Sequence, residues 1–316
     1  MADVQQLRLT WPELPASIHR IVAEILHGPV VLARSQATGF SPGSADRVYA
    51  ANGKSAFVKA VNRGRNPDTV DLHRRELEVL QTLPDSVSVP RLLGSFDDGE
   101  WVALVIECVD GVHPSAPPSR AEIWAVLSAV AALPAVRANS GWAVFPRATQ
   151  ELAAAFESWT SIRREGWSES LPVGACDRLD ELQRLAAGAA RAVDGDHLVH
   201  LDLRSDNVLL DDGGRAWLVD WPWASVGVRW LDGLTFLLDA RLNGSDVDAE
   251  EIIASHPLFA LAPADGINAV LSGLTSYFLA EAQRPAPENM PTLRAFQREE
   301  GLAGLSWLAQ RLGWSA

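Results

Sequence analysis

The stretch HLDLRSDNVLL, from His200 to Leu210, and Asp220 beyond it carry the residue types best suited to chemistry in this chain. Asp202 and Asn207 stand five apart, and Asp220 follows Asp202 by eighteen residues, after VLLDDGGRAWLV, which reads as strand, turn and strand. Folding that hairpin back brings two carboxylates and an amide to one point. A carboxylate can accept a hydrogen bond from a hydroxyl and aim its oxygen. An amide and a second carboxylate are hard oxygen donors of the kind Mg2+ demands. A hydroxyl-orienting group beside a magnesium site points to phosphoryl transfer from a nucleotide. The candidate assignments are Asp202 as base and Asn207 and Asp220 as metal ligands. Arg204 would balance the charge of Asp202 or meet the transferring phosphoryl group, and His200 would brace the loop. Asp206 reads as a solvated or capping carboxylate.

Lys59 is the one charge in the apolar run Ala56–Val61, and the chain otherwise uses arginine: 25 of them against two lysines, Lys54 and Lys59. A compact ammonium in an apolar strand needs a partner. Glu76, seventeen residues on and in the next helix, is the candidate, with Glu78 on a different face of that helix. In phosphoryl transfer such a pair would hold a nucleotide's phosphates. The alternative is an edge-strand lysine that blocks aggregation. Upstream, TGFSPGSADRV lies where a phosphate-covering loop belongs, with Gly39 and Gly43 allowing close backbone approach and Ser41 and Ser44 offering hydroxyls. It is not G-x-G-x-x-G, and a surface turn is the plainer reading.

The elements that must position these groups fall into two blocks. Strands are expected over about Asp46–Ala50 and Ser55–Val61, joined at Asn52-Gly53, and over Arg91–Phe96 and Trp101–Cys108. A helix is expected over about Thr69–Leu83. The connector DGVHPSAPP then leads into helical sequence, beginning at the capping box Ser119-x-x-Glu122 and continuing over Thr149–Glu165, Cys176–Val193 and the tail from Trp230 to Leu312. Strands first and helices second predict an α+β fold of two lobes, 1–109 with an antiparallel sheet plus helix and 110–316 mainly helical. Most of the 12 tryptophans should anchor cores, although Trp221, Trp223 and Trp230 could wall a pocket. The acidic run at Asp246, Asp248, Glu250 and Glu251 reads as a helix start or as an attractor of amines.

Composition narrows the partners. The net charge of −13 is divided as −3 over residues 1–110 (11 basic, 14 acidic) and −10 over the rest (16 basic, 26 acidic). An acidic second half argues against nucleic acid. No apolar run reaches transmembrane length, and the first residues lack the pattern of a signal peptide. Two cysteines, Cys108 and Cys176, without metal spacing suit reduced thiols, so a cytoplasmic protein is expected.

With these residues in hand, the chain resembles the aminoglycoside phosphotransferase family of small-molecule kinases. The resemblance is carried by GFSPGSADRV, AFVKAV, VALVIECVDG, HLDLRSDNVLL and LVDWPWA, in the manner of the family's actinobacterial branch. Asp220-Trp221-Pro222 stands where protein kinases have D-F-G, and the long activation segment is missing, which argues against a protein kinase. The resemblance implies a protein-kinase-like fold and ATP or GTP with Mg2+ clamped between the lobes, the purine edge read by backbone groups of Glu107 and Val109. It implies an acceptor pocket among the helices of the second lobe and a small-molecule substrate with a free hydroxyl, such as an antibiotic. The near-balanced tail, with Tyr277, Phe278, Trp307 and Trp314, suits a less cationic acceptor such as a nucleoside or macrolide. The alternatives are a kinase of an amino sugar or amino alcohol and a nucleotide-binding regulator without transfer activity.

Overall fold

The computed structural model describes residues 8–36, 41–83, 87–136, 145–166 and 175–314. Its first half is an antiparallel sheet in the order β1-β2-β3-β5-β4, with β1 Val30–Ser35, β2 Ser44–Ala50, β3 Ser55–Asn62, β4 Leu92–Asp97 and β5 Trp101–Glu107. Two helices sandwich it: α1 (Ala16–Leu26) on one face and α2 (Pro67–Thr82) on the other. The period-two alternation of a strand explains both contacts. Ala56, Val58 and Ala60 of β3 join Ala103 and Val105 of β5 in a core with Ile18, Val22 and Leu26 of α1. The intervening Val61 packs with Val102, Leu104, Ile106 and Val70 of α2. Lys59 shares the face of Val61, so the same alternation aims its ammonium at α2.

Helix α1 and strand β1 were not among the elements expected from sequence, although Ile18, Val22 and Leu26 recur at helical spacing. Strand β1 is an edge strand with little burial, which leaves a weak hydrophobic pattern. Helix α2 begins at Pro67, two residues before its expected start, because Asn66 accepts a hydrogen bond from the Thr69 amide and proline fits the first turn.

The second half is mainly helical. Helix α3 (Arg120–Ala131) opens with the expected Ser119/Glu122 capping box. The helix expected over 149–165 is three pieces, α4 (Ala148–Glu151), α5 (Ala153–Phe156) and α6 (Ser158–Glu165). The helix expected over 176–193 is likewise divided, into a 3-10 turn, α7 (Leu179–Ala186) and α8 (Ala189–Ala192). Two short two-stranded sheets follow, β6 (His197–Val199) with β9 (Ser225–Gly227), and the expected hairpin β7 (Val208–Leu210) with β8 (Ala216–Leu218). Helices α9 (Leu231–Leu242), α10 (Ala249–Ser255), α11 (Ala264–Ala282) and α12 (Leu293–Leu312) complete a core that holds Trp159, Trp221, Trp230 and Trp307.

Two of the fastenings between sheet and helices bracket β3, and a third holds the segment before β4, where the Leu218 amide of β8 donates to the Ser88 carbonyl (3.0 Å). After β5 the chain passes through residues 108–111, and Val112 forms a two-way backbone pair with Leu210 of β7 (3.0 and 2.7 Å). Near the start of α2, Asn66 donates to the Glu288 carbonyl (3.4 Å) and Asn289 donates to the Arg65 carbonyl (3.1 Å).

Candidate active site

Between sheet and helices lies a cleft of about 350 Å3 lined by Lys59, Glu76, Asp202, Arg204, Asn207 and Asp220. Lys59 Nζ donates to both carboxylate oxygens of Glu76 (2.8 and 2.9 Å) and to Asp220 Oδ1 (2.6 Å). The pairing expected between Lys59 and Glu76 is therefore made, and Asp220 completes it from the far side of the cleft. Burial alone would discharge the ammonium, but Asp220 and Glu76 outweigh it and raise its pKa. Burial would likewise raise the Asp220 carboxyl, yet Lys59 holds it down at about 2. Both groups are charged at neutral pH. Asp220 sits in the left-handed region (φ 68°), and Glu76 also takes the Trp221 amide (3.4 Å), which fixes the turn that presents Asp220.

The loop carrying Asp202 is held from beneath. His200 is fully buried, and its Nε2 donates to the Val219 carbonyl (2.9 Å), so its Nδ1 is the acceptor for the Asp202 amide (3.3 Å). Burial lowers the His200 pKa and keeps the ring in that neutral tautomer. The brace expected of His200 is in place. Two carboxylates of α9 secure the rest. Asp232 accepts the amides of His200 (2.7 Å) and Leu201 (3.0 Å), and Asp239 accepts the amide and hydroxyl of Ser205. Asp232 and Asp239 are seven residues apart, two turns of helix, and so face the loop together. Sequence reasoning passed over both; the signal was two acids inside the apolar run LDGLTFLLDA, where an unpaired carboxylate is costly. Replacing Asp232 by Ala orphans two buried amides and is expected to cost about 2–4 kcal/mol of stability. Asp232→Asn, which keeps one acceptor, should lose less. Urea denaturation measures both, and an unchanged midpoint in Asp232→Ala would assign the bracing elsewhere.

Asp202 itself retains a third (33%) of its side-chain exposure. Burial pushes its pKa up to about 6 against the pull of Arg204, whose Nη1 donates to Oδ1 (2.9 Å). Arg204 also forks onto Asp206 (3.0 and 3.1 Å) and lies over the Phe296 ring, so its charge is balanced by two carboxylates. Asp206 is thus an ion-pair partner, neither simply solvated nor a cap. Asn207 is buried in the cleft wall and donates Nδ2 to the Asp202 carbonyl (2.8 Å), which commits its nitrogen and not its amide oxygen.

An amide oxygen and a carboxylate suit Mg2+, which takes one or two protein ligands and fills its shell with phosphate and water. The observed commitment of the Asn207 nitrogen to Asp202 leaves the donor atom such an ion needs, so the residues present fit it. Among the described residues no group of three His, Cys, Asp or Glu side chains forms a self-sufficient metal cage.

The remaining candidates divide. Gly43 is needed for its own strand, since a side chain there would strike the Ala60 carbonyl at 2.7 Å. Ser41 and Ser44 both line the cleft, Ser44 from a buried position at the start of β2. Gly39 lies outside the described residues. Glu107 and Val109 both line the cleft. The Glu107 amide is given to the Arg91 carbonyl (2.8 Å), so Glu107 can offer a purine only its carbonyl. Trp221 is a fully buried core anchor tilted against His200 and backs the cleft, Trp230 is buried in the core, and Trp223 lines the cleft with its ring partly exposed. Trp307 and Trp314 are occupied elsewhere, by Glu250 and Arg178. Met290 and Leu293 line the cleft instead, and Thr69, Leu72 and His73 bring α2 into its wall. The acids near 250 serve structure: Asp248 caps α10, Glu250 binds Arg311, and Glu251 pairs with Arg120.

No helix among the described residues is long and apolar enough to cross a membrane. No curated protein matches the chain. Solved structures share its fold. A choline kinase from Streptococcus pneumoniae is 14% identical with a TM-score of 0.59, over 92% of this chain and 100% of that one. A spectinomycin phosphotransferase, in complex with ADP and spectinomycin, is 10% identical with a TM-score of 0.62, over 94% and 99%. An aminoglycoside phosphotransferase from Alicyclobacillus acidocaldarius is 16% identical with a TM-score of 0.53, over 90% and 94%. These likenesses agree with the two-lobed, protein-kinase-like α+β plan. Residues 36–264, from the flank of the glycine-bearing loop to the start of α11, match the phosphotransferase enzyme family, and the chain belongs to that family.

Proposed function

We propose that this phosphotransferase moves the terminal phosphoryl group of ATP or GTP, with Mg2+, to a hydroxyl of a small-molecule antibiotic, and so confers resistance. The observation that carries the reading is the convergence of Lys59, Glu76, Asp202, Asn207 and Asp220 in one cleft. The sheet lobe, to residue 109, would clamp the nucleotide, and the helical lobe, from 110, would supply the loop and the acceptor wall. The Glu107 carbonyl and the Val109 backbone would meet the purine. Bound at Asn207 and Asp220, Mg2+ would neutralise phosphate charge. Lys59, steadied by Glu76, would hold the phosphates. Asp202 would accept the hydroxyl's hydrogen bond and orient its oxygen, while Arg204 keeps the carboxylate in place. Most of the rate would come from positioning and preorganised charge. Trp223, Met290 and Leu293 offer an acceptor an apolar surface beside Asp202 and Asp206. A kinase of an amino alcohol is the second reading, favoured by the choline kinase that matches this fold along its whole length.

The test is mass spectrometry of acceptor panels with Mg2+ and ATP or GTP: nucleoside, macrolide, cyclic-peptide and aminoglycoside antibiotics, amino sugars and amino alcohols. A phosphoryl gain on one antibiotic class, absent with Asp202→Ala, supports the proposal. Gain on amino alcohols alone moves the chain to the second reading, and no gain on any panel with tight nucleotide binding would point to a regulator.

The pH profile is a separate prediction. An acid whose pKa is raised to about 6 is protonated below that pH and can no longer accept the hydroxyl's hydrogen bond. Hence kcat/KM for the magnesium nucleotide should fall about tenfold per unit below pH ~6. A bound cation favours the carboxylate, so the acid limb of kcat should lie at lower pH. Coincident limbs would assign the titration to another group.

A further inference from the structure

Arg8 reaches the cleft from a segment that precedes α1 and lies outside the residues matched to the family. Its Nε donates to the Ser41 carbonyl (3.2 Å) and its Nη1 to the Gln36 carbonyl (3.3 Å). These two residues flank the glycine-bearing segment. The neighbouring Leu9 amide reaches the Pro42 carbonyl, to which Arg65 also donates (3.0 Å). The guanidinium is thus fixed at the edge of the loop by groups that carry no charge.

That arrangement sets Arg8 apart from the cations around it. Lys59 is answered by Glu76 and Asp220, and Arg204 by Asp202 and Asp206. Arg47 bonds the Gly111 carbonyl at the connector end (3.2 Å). Both hydrogen-bond partners of Arg8 among the described residues are carbonyls, so neither of these bonds commits its donors to a carboxylate. It lies in the fields of Asp220, Asp46 and Asp206, near the Ser44 end of β2, which pairs with Ala60, whereas Glu107 pairs with Ala56 at the other end of β3. A guanidinium has five N–H donors, and two are spent on the carbonyls, so donors remain for oxyanions.

We propose that Arg8 is a nucleotide-binding residue that contacts the terminal phosphate of the triphosphate. This inference rests on the nucleotide reading of the cleft given above.

The test is calorimetric titration of wild type, Arg8→Ala and Arg8→Gln with MgATP, MgADP and AMP, and with the guanine counterparts. Gln places its amide nitrogen where Nε stands and can still donate to the Ser41 carbonyl, but it carries no charge, so it separates phosphate binding from support of the loop flank. In both variants MgATP affinity should fall on the order of ten- to a hundred-fold, MgADP affinity by less, and AMP affinity by under about twofold. Equal losses for all three nucleotides, or a loss in Arg8→Ala that Arg8→Gln restores, would make Arg8 a support of the loop and overturn the proposal. Unchanged affinities overturn it while leaving the nucleotide reading intact. Failure of wild type to bind any of the nucleotides removes that reading, and this inference with it.

Discussion

Asp202→Ala is expected to bind the magnesium nucleotide with near wild-type affinity and to lose turnover by about two to four orders of magnitude. The geometry separates the two properties. Asp202 contacts Arg204 through Oδ1 and Asn207 through Oδ2 (3.3 Å), whereas Lys59 and Asp220 do not depend on it. Asn207 keeps its main anchor, the Asp202 backbone carbonyl, which the substitution leaves in place. Arg204 keeps its fork onto Asp206. Asp202→Asn is the sharper variant, because it retains shape and loses the negative charge. Single-turnover measurement of phosphoryl transfer with parallel nucleotide titration reads both effects. A variant that turns over at the wild-type rate would remove Asp202 from the chemistry.

Lys59→Met is expected to reduce kcat/KM for the nucleotide by about two to three orders of magnitude, the range found when one preorganised charge is removed from a site. It should also destabilise the fold. The substitution leaves Glu76 buried at 3% exposure with no cation, and breaking a buried pair from one side costs about 3–5 kcal/mol. The two effects are separable. Lys59→Met combined with Glu76→Gln removes the orphaned charge, so stability should recover while activity stays low. Lys59→Arg should not rescue activity, because a planar fork cannot occupy the point at which three carboxylate oxygens lie 2.6–2.9 Å from one nitrogen. Recovery of activity in the double variant would show that Lys59 serves the fold alone.

These residues were legible in the sequence for a simple reason. Asp202, Asn207 and Asp220 lie within nineteen residues, joined by one hairpin, so local spacing nearly determines their geometry. Lys59 is a charge in an apolar strand, and Glu76 an acid on the helix that follows it, seventeen residues on. What stayed hidden depends on contacts between distant segments. Asp232 and Asp239 brace a loop some thirty residues upstream, and nothing in their own neighbourhood says what they hold. Trp221, Trp223 and Trp230 look alike in sequence, and only packing distributes them between core and cleft. The wall supplied by α2 and by Met290 and Leu293 joins residues more than two hundred positions apart. Helix α1 is short, and its buried Ile18, Val22 and Leu26 give a weaker signal than the strands around Asn52-Gly53 in the same block.

The fastenings between sheet and helices constrain how the enzyme can breathe. Residue 107 pairs with Ala56 at one end of β3, and Asn62 pairs with Trp101 at the other, just before the Arg65–Asn66 contacts with 288–289. The two ends of β3 that lead to these attachments lie roughly 20 Å apart, at about 3.3 Å per residue. Because Leu218 also holds Ser88, and Val79, Val87 and Val89 pack into the helical core, the sheet is a plate pinned at three points and resists gaping like a jaw. Small molecules would then enter and leave along the open side of the cleft, and loosening any one pin would change how fast they do so before it changed how tightly they are held.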